Sequence, residues 1–452
     1  MNKPVDERWR RALVLGLGAS GEAAARLLQS RGAAVQVLDG AATGAITERS
    51  AALAGPGIRV VTGARSLPRD PFDVAVVSPG IPSTDPWVGE LDARGIPVIS
   101  ELELGWRHCS SRILAITGSN GKSTLVKLCT EALAAAGLCA EAGANYGIPL
   151  SALALLTPAP DWIVAEVSSF QLERIARFNP NVGVLLNLNP NHLDRHGTLE
   201  AYTAAKARLF ENMGEANTAI VPVDAPERIR AAIPGLARVS TFGTAANAGF
   251  RYRDGFVTES ASGRTISVQG TAFDNDILGL TAAAGVAAVA ACGLPPAGVA
   301  AVAAAFRKLP HRMETVAVVR GVTFVDDSKA TSLAAMAAGL QMAPGPVRLI
   351  AGGLLKESNL EWIKKVLVKK ARGVYIIGKY SQVMALAWQD VCPCCVCGEL
   401  KEAVQRAWKE AREGEVVLLS PGCSSFDQFK SFEDRGNQFK QIVGSLIKGE
   451  AS

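Results

Sequence analysis

No stretch of this 452-residue sequence is both long and apolar enough to read as a membrane span. The most apolar one, Thr281 to Phe306, is mostly alanine and is broken by Gly293-Leu294-Pro295-Pro296. It predicts two short packed helices joined by a turn. The opening segment Met1 to Arg11 is charged and lacks the apolar core of a signal peptide. A cytoplasmic protein with no membrane partner is therefore expected, with most of its nine cysteines reduced. A strong charge of one sign is missing too. The net charge of +5 is small for the length, so no nucleic acid partner is expected, while anionic small substrates remain compatible. Internal repeats and low-complexity tails are absent. With 48% apolar and 20% charged residues, the composition is that of a globular chain too long for one ordinary core.

Four cysteines crowd into Cys392-Pro393-Cys394-Cys395-Val396-Cys397. Cys394 and Cys397 make a CxxC pair, but a structural zinc needs a second pair of ligands, and no histidine lies nearby. Cysteine also packs as a small apolar residue, and that reading is preferred.

Strand-like and helix-like pieces alternate along the chain. Ala12-Leu13-Val14-Leu15 predicts a strand, followed by a glycine-rich turn and a helix to about Arg31; Ala34 to Leu38 predicts another strand ending at Asp39. Val74-Ala75-Val76-Val77 runs into the turn Ser78-Pro79-Gly80-Ile81-Pro82. A new unit opens with the strand Arg112 to Ile116, a glycine-rich loop and a helix from Ser123 to about Ala136. Trp162 to Glu166 and Val182 to Leu188 read as further buried strands. A third set of strands is expected at Val322 to Val325, Val347 to Ala351, Val374 to Ile377 and Val416 to Leu419. The expectation is an α/β protein of three domains. These are a Rossmann-like N-terminal domain over 1–108, a central P-loop ATPase-type parallel-sheet domain over 109–309, and a C-terminal Rossmann-like domain over 310–452.

Two motifs carry chemistry. Gly16-x-Gly18-x-x-Gly21 suits a tight turn beneath a pyrophosphate at a helix N-terminus, with Asp39 placed for a ribose hydroxyl. Alone it fits a nicotinamide oxidoreductase as well as any nucleotide-diphosphate binder. Thr117-Gly118-Ser119-Asn120-Gly121-Lys122-Ser123-Thr124, between a strand and a helix, is more specific. Backbone N–H groups of such a loop cradle phosphates, the lysine meets the β- and γ-phosphates, and the next hydroxyl suits Mg²⁺. A regulatory P-loop ATPase would explain this loop but not the lysines further on.

The loop TGSNGKST resembles that of the Mur ligases, relatives of folylpolyglutamate synthase. Glu166 to Glu173 (EVSSFQLE) is similar to a segment typical of the D-glutamate-adding branch. Asn187 to His196, Ala205-Lys206-Ala207-Arg208, Leu309-Pro310-His311-Arg312, Asp327-Ser328-Lys329-Ala330-Thr331 and Leu419 to Phe432 with Arg435-Gly436 resemble further family segments in the family's order. Departures are Leu354 in Gly352-Gly353-Leu354-Leu355-Lys356 where the family has Asp, Asn191 before His192, no H-N-x-x-N near Ile277 to Thr281, and Gly40-Ala41 after Asp39.

The resemblance implies ATP-dependent addition of D-glutamate to UDP-N-acetylmuramoyl-L-alanine through an acyl phosphate, in peptidoglycan synthesis, by a monomer using ATP and Mg²⁺. It implies Lys122, Glu166, His192 and Lys206 as catalytic, and Ser123, Glu166, His192 and a carbamylated Lys206 as metal-holding. ATP would meet Gly118, Ser119, Asn120, Gly121, Lys122, Ser123, Thr124, Arg312 and Asp327. The UDP-sugar would meet Gly18, Ala19, Ser20, Asp39, Ser78, Gly80 and Asn145. D-Glutamate would meet Lys329, Thr331, Lys356, Ser425 and Phe432. Sister ligases adding other amino acids, or a folylpolyglutamate-type ligase, stay open as alternatives.

Overall fold

The computed structural model describes residues 8–357 and 359–450, the last three by backbone only. The first seven residues of the charged opening segment lie outside the described residues. Two compact units separate: the chain up to Leu188 with Glu200–Phe306, and Asn189–Leu199 with the chain from Arg307 onward.

Within the first unit, β1 (Arg11–Leu15), β2 (Ala34–Asp39), β3 (Ile58–Thr62), β4 (Val74–Val77) and β5 (Val98–Ser100) form a sheet in the order β3-β2-β1-β4-β5. Every pair is parallel. Residues Ala12 to Leu15 and Val74 to Val77 are buried on both faces, as uninterrupted apolar strands of a parallel sheet must be. The chain changes direction of winding between β1 and β4, which opens a crevice at their carboxyl ends. Gly16 turns there at φ +89°, and a β-carbon on Gly21 would lie 1.9 Å from the Gly16 carbonyl oxygen. The first and third glycines of the motif are thus demanded by the backbone.

The same unit holds β6 (Arg112–Thr117), β7 (Ala140–Ala144), β8 (Trp162–Glu166), β9 (Val182–Leu185), β10 (Thr218–Pro222), β11 (Arg238–Gly243), β12 (Phe250–Arg253), β13 (Phe256–Glu259) and β14 (Thr265–Ser267). Their order is β14-β13-β12-β11-β10-β9-β6-β8-β7. The pairs are parallel except for the hairpins β12/β13 and β13/β14. β9 ends at Leu185, three residues before the expected limit, because Leu186 and Asn187 turn to the phosphate loop. The alanine-rich stretch makes two helices, Asp276–Ala291 and Ala297–Ala305, as the Gly-Leu-Pro-Pro break predicts. The first begins before Thr281 because the Asn275 carboxamide caps it, accepting from the amides of Ile277 (3.2 Å) and Leu278 (2.9 Å). These helices and Lys122–Ala135 cover one face of the sheet.

Inside this unit the two sheets are joined by Glu103, fully buried on the helix Glu101–His108. Its carboxylate accepts from the amides of Ala176 (3.0 Å), Arg177 (3.0 Å) and Phe178 (2.8 Å) and from Arg107 Nε (2.8 Å).

In the second unit, β15 (Glu314–Val319), β16 (Val322–Asp326), β17 (Val347–Gly352), β18 (Ala371–Ile377), β19 (Cys394–Gly398) and β20 (Val416–Leu419) lie in the order β15-β16-β20-β17-β18-β19. Only β15 runs antiparallel to its neighbour. The cysteine-rich run supplies edge strand β19, and Cys392 and Cys397 pack into the cores on the two faces of this sheet.

Candidate active site

The phosphate loop leaves β6 and enters the helix Lys122–Ala135 at Gly121, whose φ is +79°. Asn187 fastens it from β9: its side-chain oxygen accepts from the amides of Ser119 (3.0 Å) and Asn120 (2.9 Å), and its Nδ2 donates to the Asn120 carbonyl (3.0 Å). The Tyr202 hydroxyl lies 3.1 Å from Ser119 Oγ. Burial raises that phenol to about 12, so it stays protonated and can donate.

Two lysines meet on one carbonyl. Lys122 Nζ donates to Gly118 O (2.9 Å) and Ser119 O (3.1 Å), while Lys206 Nζ donates to Gly118 O (2.9 Å) and Thr117 Oγ1 (3.1 Å). Lys206 is 1% exposed, which rules out the surface lysine that its helical position alone would favour. Its helix, Leu199–Ala207, passes into a 3₁₀ turn, Arg208–Phe210. Burial first, then the Lys122 charge, hold the Lys206 amine well below the usual lysine value, against a smaller opposing pull from Glu166.

Glu166 closes β8 at 4% exposure, where carboxyl ends of parallel strands collect ligands. Ser123 Oγ donates to its Oε2 (2.5 Å) and Asn145 Nδ2 to its Oε1 (2.6 Å). Asn145 thus joins the phosphate-loop cluster. Among the other residues expected at the UDP-sugar, Asp39 lines a cavity of about 400 Å³ with Gly16, Ile81 and Trp87. Its carboxylate is engaged by the amides of Leu17 (2.7 Å) and Ala41 (2.8 Å), so it shapes the turn as well. Ser78 Oγ donates to the Gly16 carbonyl (3.2 Å); Gly18 caps the helix Ala19–Ser30, and Ala19 and Ser20 form its first turn. Gly80 is exposed in the turn after β4.

In the second unit His192 stands in left-handed backbone (φ +54°) before the short helix Leu193–His196. Its amide donates to Asn191 Oδ1 (3.0 Å), so this departure from the family pattern stabilises the turn. Asp327, just after β16, accepts from Met313 N (3.2 Å) and Ser420 Oγ (2.8 Å), and burial raises it to about 7. Arg312 opposes that rise. Lys329 Nζ lies 3.7 Å from the centre of the Phe432 ring, a cation–π contact that brings two of the expected D-glutamate residues together. Ser425 is buried, Thr331 half-buried and Lys356 exposed.

Some well-placed residues had been assigned no role. Asp326 accepts from Ser328 N (2.9 Å) and lies 2.7 Å from His311 Nδ1. Arg435, fully buried, donates to Ser328 Oγ (3.0 Å) and to the Cys423 carbonyl (3.2 Å). For Asp326 the available signal was a charge closing the apolar run Val322 to Val325; Arg435, in a polar stretch, offered none.

Three family models cover most of the chain. Residues 10–100 match the Mur ligase MurD-like N-terminal domain, 116–292 the Mur ligase middle domain, and 311–423 the Mur ligase glutamate ligase domain. The chain belongs to the Mur ligase family, whose members are ATP-dependent amide-bond-forming ligases. Its relatives include the UDP-N-acetylmuramoylalanine–D-glutamate ligase of Acidobacterium capsulatum, 37% identical over 447 residues, with 96% of each chain covered. The enzyme of that name from Koribacter versatilis is 36% identical over 459 residues, covering 99% of this chain and 100% of that one. Among solved structures, the UDP-N-acetylmuramate–alanine ligase of Thermotoga maritima shares the fold with a TM-score of 0.60 at 16% identity, covering 97% of this chain and 100% of that one. The MurF ligase of Thermotoga maritima in complex with ADP does so with a TM-score of 0.60 at 17% identity, covering 98% and 96%.

Proposed function

We propose that this chain joins D-glutamate to UDP-N-acetylmuramoyl-L-alanine with hydrolysis of ATP to ADP and phosphate, a step of peptidoglycan synthesis. The observation that carries the reading is the convergence of Lys122, Lys206, Ser123 and Glu166 at the end of β6 and β8. The γ-phosphoryl group passes to the substrate carboxylate, breaking the P–O bond to ADP. The D-glutamate amine then adds to the acyl carbon, and phosphate leaves as the amide forms. Both steps gather negative charge, which the loop amides and Lys122 are placed to offset. D-Glutamate, a dicarboxylate, is assigned to Lys329, Thr331, Lys356, Ser425 and Phe432. Arg312 and Asp327 are assigned to ATP, and the cavity beside Asp39 to the UDP portion of the sugar nucleotide.

The hard oxygen donors Ser123 Oγ and Glu166 Oε2, side by side at the phosphate loop, fit Mg²⁺. Together with a carbamate on Lys206 they would hold it, and bound metal would neutralise phosphate charge. We assign the sugar nucleotide to 1–108, ATP to 109–309 and the amino acid to 310–452. We take the protein to work as a monomer in the cytoplasm, a reading supported by a single chain carrying all these residues and by the need for ATP.

The test is phosphate release with ATP and UDP-N-acetylmuramoyl-L-alanine, screened over D-Glu, L-Glu, L-Ala, L-Lys and meso-diaminopimelate. Turnover with D-Glu alone is expected. Turnover with another amino acid instead would overturn the assignment.

A further inference from the structure

Cys395 and Cys397 sit two residues apart on edge strand β19, where alternate side chains share a face. The pairing with β18 slips between Ile376 and Ile377, so that Ile376 faces Val396 and Ile377 faces Gly398. Cys397 is the extra residue of this bulge, and a bulge bends its strand. The two sulfur atoms lie 3.7 Å apart, close enough for a modest side-chain rotation to bring them to bonding distance.

Their surroundings differ in a useful way. Cys397 is 5% exposed and packs on the helix Leu400–Glu410, whereas Cys395 is partly open to solvent. From that helix, the Arg406 guanidinium contacts Cys395 Sγ, offering a counter-charge to an anionic sulfur. Burial and the Cys395 sulfur raise the Cys397 thiol to about 12, which keeps its proton in place until it reacts. The ligase chemistry uses none of these groups.

We propose that Cys395 and Cys397 form a reversible oxidation site for hydroperoxides, closing to a disulfide. The Cys395 sulfur, as thiolate, attacks the peroxide; the O–O bond breaks, an S–O bond forms, and the departing oxygen takes up a proton. The Cys397 sulfur then attacks the sulfenic acid, the S–S bond forms, and the hydroxyl leaves with the Cys397 proton as water. Two thiols lose two electrons, and the peroxide is reduced to water, or to an alcohol and water.

The full-length protein is treated with hydrogen peroxide, its remaining thiols are alkylated, and peptides are mapped by mass spectrometry with and without dithiothreitol. The expected result is loss of two alkylatable thiols, at Cys395 and Cys397, with loss of two hydrogens, restored fully by dithiothreitol. Cys394→Ser should preserve the disulfide, and Cys395→Ser and Cys397→Ser should each abolish it. The proposal is overturned by a disulfide to Cys392 or Cys394, by oxidation confined to the exposed Cys139, or by thiols untouched by peroxide. Capture of Cu(I) by the pair, with no disulfide under peroxide, would also overturn it and reassign the sulfurs to a metal.

Discussion

Replacing Lys206 by arginine puts a larger, permanently charged guanidinium where the native amine can lose its proton and react. In the native chain its amine is enclosed, donating to Thr117 Oγ1 at 3.1 Å and Gly118 O at 2.9 Å, with the Tyr202 ring centre 4.7 Å away. An exposed lysine near neutral pH is uncharged in only about one molecule in a thousand. Burial and the neighbouring Lys122 raise that fraction steeply here. On the proposed mechanism a neutral amine would add CO₂, releasing one proton and leaving an anionic carbamate near Glu166, where hard oxygens would suit Mg²⁺. Arginine cannot follow this route, so Lys206→Arg should lose about 10²- to 10³-fold in kcat, the equivalent of about 3–4 kcal/mol. Lys206→Met serves as a control without charge. Gly118 O keeps its bond from Lys122, so the lost hydrogen bonding should cost about 1–3 kcal/mol and leave the protein folded. The assay is phosphate release in buffer stripped of CO₂ and then supplemented with bicarbonate, with thermal unfolding measured in parallel. Wild type should slow on stripping and recover on supplementation, and its rate should rise with pH as the amine loses its proton. Wild-type turnover by a well-folded Lys206→Arg, or indifference of wild type to CO₂, would refute the carbamate.

Lys122→Ala should lower ATP turnover about 10²- to 10³-fold while leaving UDP-sugar affinity, measured by calorimetry, within about threefold of wild type, because ground-state binding is separate from transition-state contact. Replacing Lys329 or Lys356 by Met should raise the KM for D-Glu and leave that for ATP little changed; unchanged D-Glu dependence in both would move the amino-acid site. Asp327 holds a proton up to about pH 7 when folded but only to about its usual 3.8 when unfolded. Its contribution to stability is therefore complete below about pH 4 and lost as pH rises through 7, by at most about 4 kcal/mol. Denaturant midpoints from pH 5 to 8 should fall more steeply for wild type than for Asp327→Asn, and parallel curves would contradict this. Glu103→Ala strands Arg107 and three backbone amides without their shared acceptor and should cost about 3–5 kcal/mol in urea unfolding.

Local pattern determined much of this protein. Runs such as Arg112 to Ile116 and Trp162 to Glu166 are strands because their apolar content suits a sheet buried on both faces, and β6 and β8 fall there. The phosphate loop is equally local: its glycines and lysine lie within eight consecutive residues, so their relation survives any packing of the rest. The Asn275 cap is just as local, formed with the next turn although the H-N-x-x-N pattern is absent there. Tertiary structure alone decided the rest. Helical spacing leaves Lys206 on a solvent face, and only the approach of its helix to β6 buries the amine against Gly118. Asn187 sits in a strand run in the sequence but leaves the strand to hold a loop 67 residues away. Glu103 finds three amides more than 70 residues away. Strand propensity and turn chemistry act over a few residues, whereas a buried charge is tolerated only where distant chain segments bring it partners.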